Sequence, residues 1–156
     1  MSSHVPGYAD HARAKTLADA SLIIIGALVL GVGLVSSGVV RHLVQTAPSW
    51  LTVYFGLRRC TEAKWSPLPS FVFWLLIVIA IWLYLLGIAK IVTGHFTIIE
   101  IAMTIIVGIA CVFGIVQSLR IRSGTNWISA LLISASVTAI QLVVFRLSQI
   151  PGVANH

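Results

Sequence analysis

The sequence predicts an all-α, polytopic membrane protein, a four-transmembrane-helix bundle with an amphipathic interfacial segment between helices 1 and 2. The prediction rests first on composition: 58% of the 156 residues are hydrophobic, 9% are charged, and the mean hydropathy is +1.02. A soluble protein of this size carries more charge, because its surface has to be covered by polar groups. The solvent around this chain is therefore largely lipid.

Four uncharged runs are each long enough to cross a bilayer. They cover residues 20–40, 66–89, 101–119 and 123–145. At about 1.5 Å of rise per residue, a helix of this length spans a hydrocarbon core roughly 30 Å thick. With flanking residues included, the predicted spans are 19–41, 68–91, 96–119 and 126–148. They form one transmembrane domain, 19–150, between a polar N-terminal tail (1–18) and a C-terminal tail (151–156).

The connection between the first two spans, residues 42–67, is much longer than the other two. Its aromatic side chains, Trp50, Tyr54, Phe55 and Trp65, are interspersed with basic residues. Aromatic and basic side chains are enriched at the membrane–water interface, which accommodates both apolar rings and charged tips. We therefore expect residues 42–67 to lie in the head-group layer, with their apolar side towards the lipid.

The basic residues are unevenly distributed between the two sides of this four-span arrangement. Both termini share one side, while most lysines and arginines fall on the other, in the 41–65 and 120–125 loops, which the positive-inside bias places in the cytoplasm. Clustered cations attract anionic lipid head groups. The predicted anionic-lipid face comprises Arg41, Arg58, Arg59, Lys64, Arg120 and Arg122. We accordingly expect bound lipids, and no other cofactor.

A carboxylate, Glu100, stands only one turn inside the third span. Helical spacing places it on a stripe with Thr104 and other small or polar residues, which face protein instead of lipid. Because an unpaired carboxylate is costly in hydrocarbon, we expect Glu100 to pair with Lys90 or Arg146. The predicted charge cluster at this membrane face comprises Asp19, Lys90, Glu100, Gln141 and Arg146.

Small residues recur on one face of several spans. In membranes such faces allow two helix backbones to approach closely, so they predict helix–helix contacts. The positions predicted to pack are Gly26, Gly33 and Ser37 on the first span, Cys111, Gly114 and Ser118 on the third, and Ser134 and Thr138 on the fourth.

Motifs for catalysis are missing from the sequence. It contains no HExxH, GxSxG, Walker-loop or CxxC pattern and only four acidic residues. The four-span topology puts His42 and His95 at opposite membrane faces, so one chain would not hold a haem iron between them. We therefore predict no metal site, no catalytic residue and no autonomous enzymatic activity, although the chain would suit a subunit of a membrane enzyme complex.

Two functional classes remain open on the sequence. The first is a non-catalytic integral membrane subunit that packs within a larger membrane protein complex, with the bilayer and other membrane subunits as its partners. The alternative is a homo-oligomeric ion channel or small carrier that uses Glu100 near one membrane face. A nucleic-acid partner is not expected, because almost none of the chain lies outside the bilayer.

Overall fold

The computed structural model describes residues 8–58, 64–92, 94–122 and 124–150, and all of the regular secondary structure there is helical. In chain order the elements are α1 (Tyr8–Gly26), a π-helical segment (Ala27–Val32), α2 (Gly33–Val35), α3 (Val39–Gln45), α4 (Ala47–Leu57), α5 (Pro67–Leu85), α6 (Ile98–Arg120) and α7 (Trp127–Leu147). The helices long and apolar enough to cross a membrane are Ala9–Val35, Pro67–Leu85, Ile98–Arg120 and Trp127–Leu147. The predicted all-α bundle of four membrane-spanning helices is confirmed.

The first helix begins well before the predicted start of its span. Residues 1–18 are predicted as a polar tail, yet α1 begins at Tyr8, and Ala14 is already buried. Alanine-rich sequence favours helix, and Asp10 in the first turn complements the positive end of the helix dipole. Most of the predicted tail is thus helix packed in the bundle. The first seven residues and the C-terminal tail, 151–156, lie outside the described residues.

The segment between the first two spans turns back along the first one. A Cβ built on Gly33 would lie 3.1 Å from Val39 Cα, and a Cβ built on Gly56 would lie 2.6 Å from the Ala14 carbonyl oxygen. The end of the first span contacts the start of the returning segment, and the start of the first span contacts its end, so the two segments are antiparallel. Between Ala14 and Gly33 lies about 28 Å of helix, close to the thickness of a hydrocarbon core.

A face of small and polar side chains explains this close packing. α3 ends at Gln45, and Pro48 occupies the first turn of α4, where its missing N–H would have no helical partner in any case. Small residues at helical spacing then let the two backbones approach. The buried side of α4 comprises Pro48, Ser49, Thr52, Val53 and Gly56. This buried side meets α1 at Gly56 and α5 at Ser49, whose Oγ lies 3.2 Å from Ser70 Oγ. The interfacial position of residues 42–67 stays a prediction.

The apolar core lies where α1, α5 and α6 meet. Its most deeply buried side chains are Ile24, Phe71, Trp74, Val107 and Cys111. Glycine is required at position 114, because a Cβ there would lie 2.6 Å from the Phe71 ring. The Trp82 Nε1–H donates a hydrogen bond of 3.1 Å to Thr104 Oγ1, which joins α5 to α6.

Helix α7 is held mainly by a buried polar network. Gln45 Nε2 donates to Ser148 Oγ at 2.9 Å, and Gln141 Nε2 donates to the Gln45 carbonyl oxygen at 3.2 Å. Ser70 Oγ donates to Gln141 Oε1 at 3.3 Å and shares a hydrogen bond of 3.2 Å with Ser49 Oγ. Hydrogen bonds of this kind join transmembrane helices where apolar packing alone does not. The network ties α7 to α3, α4 and α5.

The chain consequently runs between two ends that differ in charge. Because α3 and α4 return along α1, the start of α1 lies with the ends of α4 and α6. This end, which we call the basic end, carries six of the nine described lysines and arginines: Arg13, Lys15, Arg58, Lys64, Arg120 and Arg122. The opposite end, which we call the cavity end, contains the start of α3, the turn between α5 and α6, and the end of α7.

Candidate functional site

At the basic end, three ionisable side chains from two segments surround the C-terminus of α6. Arg13 Nη1 lies 3.3 Å from both Asp10 Oδ1 and the Arg120 carbonyl oxygen. Lys64 Nζ donates a hydrogen bond of 2.6 Å to the Ile121 carbonyl oxygen. Cations stabilise the negative end of a helix dipole and its unpaired carbonyl groups.

The buried carboxylate of Asp10 completes this arrangement. Its Oδ1 also accepts a hydrogen bond of 3.3 Å from the Arg122 backbone N–H, and the residue is only 6% exposed. Burial lowers the pKa of Lys64 from its ordinary value, and the negative charge of Asp10 opposes that shift. We call Asp10, Arg13 and Lys64 the clamp. Their polar groups bind one another and backbone groups near the end of α6, so the clamp stabilises the packing of these segments.

At the cavity end, Glu100 lies in the first turn of α6 and helps to cap its N-terminus. Its Oε2 accepts hydrogen bonds from Thr97 N at 2.8 Å and from Thr97 Oγ1 at 2.9 Å. The Glu100 backbone N–H in turn donates to Thr97 Oγ1 at 3.3 Å. This reciprocal capping box satisfies two backbone N–H groups that a helix start leaves unpaired. It explains why a carboxylate stands one turn inside an apolar span.

Glu100 also lines a cavity of about 350 Å³ between the helices. Most of the wall is apolar, with Val78 and Ile81 from α5 and Met103 from α6. Leu28 and Val32 come from the π-helical segment, a rare conformation that occurs frequently at functional sites. The polar lining residues are Ser36, Arg41, His42, Gln45, His95, Glu100 and Thr104. A mainly apolar cavity with a few convergent polar groups is typical of a small-molecule site.

The polar groups of this cavity are less completely paired than those of the clamp. Within the described chain, the buried nitrogens Arg41 Nε and His42 Nδ1 have no hydrogen-bond partner. The His42 ring lies against the Gln45 side chain, close to the charges of Arg41 and Glu100. Buried donors without acceptors are uncommon because each costs free energy. The cavity therefore presents one arginine, one carboxylate and two unpaired buried nitrogens beside an apolar wall.

The structure does not bring the predicted charge cluster together. Asp19 lies on α1 only six residues beyond Arg13, which contacts Arg120 at the end of α6. Glu100 lies 20 residues before Arg120 on α6, so about 20 Å of helix length separates it from the level of Asp19. The sequence prediction placed both residues at one face because it counted no crossing between the first and second spans.

Among the described residues, Glu100 forms neither of the expected ion pairs, with Lys90 or with Arg146, and instead accepts hydrogen bonds from Thr97. Among the described residues the ion pair within 4 Å is Arg13–Asp10, and both Lys90 and Arg146 are exposed. Gln141 belongs to the buried network that holds α7. The carboxylate of Glu100 needs no cation to offset its burial, because Thr97 already donates two hydrogen bonds to it.

The six residues predicted as an anionic-lipid face are divided between the two ends. Arg58, Lys64, Arg120 and Arg122 lie together at the basic end. Arg41 lines the cavity at the opposite end, because the return of α3 and α4 begins there. Arg59 lies outside the described residues. Lipid binding by the basic end stays a prediction.

The predicted packing positions are likewise of two kinds. Those with close or buried contacts are Gly33, Cys111, Gly114, Ser118 and Ser134. By contrast, a Cβ built on Gly26 would have no atom within 4 Å, and Ser37 is exposed in a turn with φ of 55°. Thr138 is exposed and donates a hydrogen bond to the Ser134 carbonyl oxygen of its own helix.

The two histidines in connecting segments are on the same side of the molecule. The four-span topology puts His42 and His95 at opposite faces, but both line the cavity, because α3 and α4 return along the first helix before α5 begins. No group of three or more His, Cys, Asp or Glu side chains that could hold a metal ion is found in the described ranges.

Two features could have been found in the sequence. Thr97-Ile-Ile-Glu100 fits the S/T-x-x-E capping-box pattern before an apolar run. The Ser49, Thr52, Val53 and Gly56 spacing fits one buried helix face. The clamp carries no comparable signal, because Asp10 and Lys64 are 54 positions apart and meet only through the tertiary fold.

Comparison with known proteins gives no relative for this fold and cavity: no family model, curated protein or solved structure matches the chain.

Proposed function

We propose that this chain is a non-catalytic integral membrane subunit that packs within a larger membrane protein complex. The observation that carries the proposal is the outward face of α7. Of the most apolar 18 residues in each span, 44% are buried in the first but only 17% in the last. Helix α7 therefore offers a larger free surface than the helix at the centre of the bundle.

The middle of that surface is built from small residues. Ala130, Val137 and Gln141 face the bundle, whereas Ala135, Ser136 and Ala139 on the other side are exposed. Ala135 and Ala139 stand four positions apart, the spacing at which small residues let a second transmembrane helix approach. Because lipid tails are as apolar as leucine, apolar burial alone does not favour a partner helix over lipid, whereas the close backbone approach that these small residues allow does.

The channel or carrier alternative has less support. Glu100 lies near one end of the bundle, where its carboxylate caps α6. Deeper in the bundle, Phe71, Val107 and Cys111 fill the space between α1, α5 and α6. A conduction path within one chain would need polar groups at successive depths. The alternative thus depends on an oligomer that builds its pore between chains.

Purification in mild detergent tests the proposal. We expect the wild-type chain to migrate with different polypeptides, at several times its own 16.8 kDa. A photo-crosslinker at position 136 should join it to one of them. The double substitution Ala135→Leu, Ala139→Leu should release the chain from the complex without changing its own thermal unfolding.

A matched control is Leu76→Phe, a change of apolar bulk on the exposed surface of α5. It should leave the complex intact. Isolation of the wild-type chain as a pure homo-oligomer that conducts ions after reconstitution, with conduction lost in Glu100→Gln, would overturn the proposal and favour the channel alternative.

A further inference from the structure

We propose that the cavity lined by Arg41 and Glu100 binds one zwitterionic phospholipid with a primary amine head group. The phosphate would bind Arg41, the ammonium would bind Glu100, and an acyl chain would enter the apolar part of the cavity. This site is separate from the outward face of α7 and does not depend on the proposed subunit role.

The wall of the cavity matches an acyl chain. Its apolar surface comes from the π-helical segment, α5 and α6, and Phe145 contributes an aromatic ring. The other apolar side chains are Leu28, Val32, Ile77, Val78, Ile81, Met103 and Val107. The polar groups come from the start of α3 and the turn before α6, so they lie together towards the end of the bundle. A ligand that is apolar along its length and polar at its tip satisfies both parts, and phospholipid is the most abundant such molecule in a bilayer.

The charges select among lipid head groups. The ionised lining residues are one arginine and one glutamate, while His42 and His95 add ring nitrogens. An anionic lipid would place its negative head group beside the carboxylate of Glu100, and it carries no cation that would offset the repulsion. A zwitterionic head group presents one charge of each sign, so it is complementary to both residues.

Arg41 provides the anion-binding half of the site. A guanidinium group donates from a planar fork that fits two phosphate oxygens. Its Nε is buried and has no acceptor within the described residues. Phosphate oxygens are strong acceptors and would satisfy donors that the protein leaves unpaired.

Glu100 provides the cation-binding half. Thr97 occupies Oε2 through two hydrogen bonds, while Oε1 accepts none within the described chain. The capping box holds the carboxylate in place before a ligand arrives, which lowers the entropy cost of binding. A primary ammonium can donate a hydrogen bond to Oε1, whereas a quaternary ammonium has no N–H to donate.

Native mass spectrometry of the purified chain tests the assignment, with dioleoyl phosphatidylethanolamine, phosphatidylcholine or phosphatidylglycerol added in detergent. We expect phosphatidylethanolamine to bind about tenfold more tightly than either of the others, the difference that one charge-assisted hydrogen bond produces. Equal binding of all three lipids, or tighter binding of phosphatidylglycerol, would overturn the proposal.

Two substitutions separate the head-group contacts from general loss of structure. Arg41→Gln should weaken phosphatidylethanolamine binding about tenfold. Glu100→Gln keeps the capping box, since glutamine also caps. It should abolish the preference for phosphatidylethanolamine over phosphatidylglycerol while the protein stays folded.

The matched control is Arg146→Gln, which removes an exposed arginine at the same end but outside the cavity. It should bind phosphatidylethanolamine as the wild type does. The assignment fails if Arg146→Gln and Arg41→Gln have the same effect, or if Glu100→Gln keeps the wild-type lipid preference.

Discussion

The two ends of this bundle use charged residues in opposite ways. At the basic end Asp10 and Arg13 contact one another, and Arg13 and Lys64 contact carbonyl oxygens at the end of α6. At the cavity end Arg41 and Glu100 border a cavity of about 350 Å³, and neither forms an ion pair within the described residues. The difference teaches that charged side chains join segments of the fold at one end of this protein and line a cavity at the other.

The largest expected effect concerns the packing that brings the basic end together. Gly56→Leu should lower the free energy of unfolding by about 3 kcal/mol, because even a Cβ there would lie 2.6 Å from the Ala14 carbonyl oxygen and 2.7 Å from Ala18 Cβ. Gly26→Leu is the control, since a Cβ at Gly26 meets nothing within 4 Å. Unfolding by sodium dodecyl sulphate measures both; equal losses would show that α4 does not pack on α1.

Removing one charge at each end compares the ends directly. Asp10→Asn should cost about 2 kcal/mol, because it leaves Arg13 and Lys64 without their buried counter-charge. Glu100→Gln should change stability by less than about 0.5 kcal/mol, because glutamine preserves the capping box. The same detergent unfolding assay applies. A larger loss for Glu100→Gln than for Asp10→Asn would reverse the roles assigned to the two ends.

A smaller loss than that of Asp10→Asn is expected when the cap of α6 itself is removed. Thr97→Ala removes the hydroxyl that accepts from the Glu100 N–H and should cost about 1 kcal/mol. Thr138→Ala deletes a hydroxyl of the same kind on an exposed helix face and should be nearly neutral. If thermal unfolding midpoints of the two variants coincide, Thr97 does not cap α6 in the membrane.

Much of this fold could be predicted because lipid imposes a simple rule on sequence. An uncharged run of about 20 residues has few alternatives to a membrane-spanning helix. The return of α3 and α4 does not follow that rule, because Arg41, His42 and Pro48 interrupt its apolar residues. Its polar groups are accommodated by the cavity and by α1, which only the tertiary structure reveals.

The candidate site was predictable in part. Glu100 stands out in the sequence as a carboxylate near the start of an apolar helix, and the structure places it on the cavity. Its neighbour Arg41 is 59 positions away and was assigned to the opposite face. Leaving out the return of α3 and α4 changes the predicted neighbours of Asp19, Arg41 and Glu100, so an error in the path of the chain becomes an error in the site.

The topology also sharpens the expected orientation. Six of the nine described lysines and arginines lie at the basic end, and Arg41, Lys90 and Arg146 lie at the other. The positive-inside bias then places the basic end, and with it the start of α1, in the cytoplasm. The four-span arrangement instead puts both termini on the non-cytoplasmic side.

Cysteine accessibility tests the return crossing most directly. Single cysteines at Ser36, His95 and Arg122, all exposed positions, would be labelled with a membrane-impermeant thiol reagent in vesicles of each orientation. The account predicts that Ser36→Cys and His95→Cys react from the same side, and that Arg122→Cys reacts only from the other. Labelling of Ser36→Cys and Arg122→Cys from one side, with His95→Cys opposite, would restore the four-crossing topology and contradict the account.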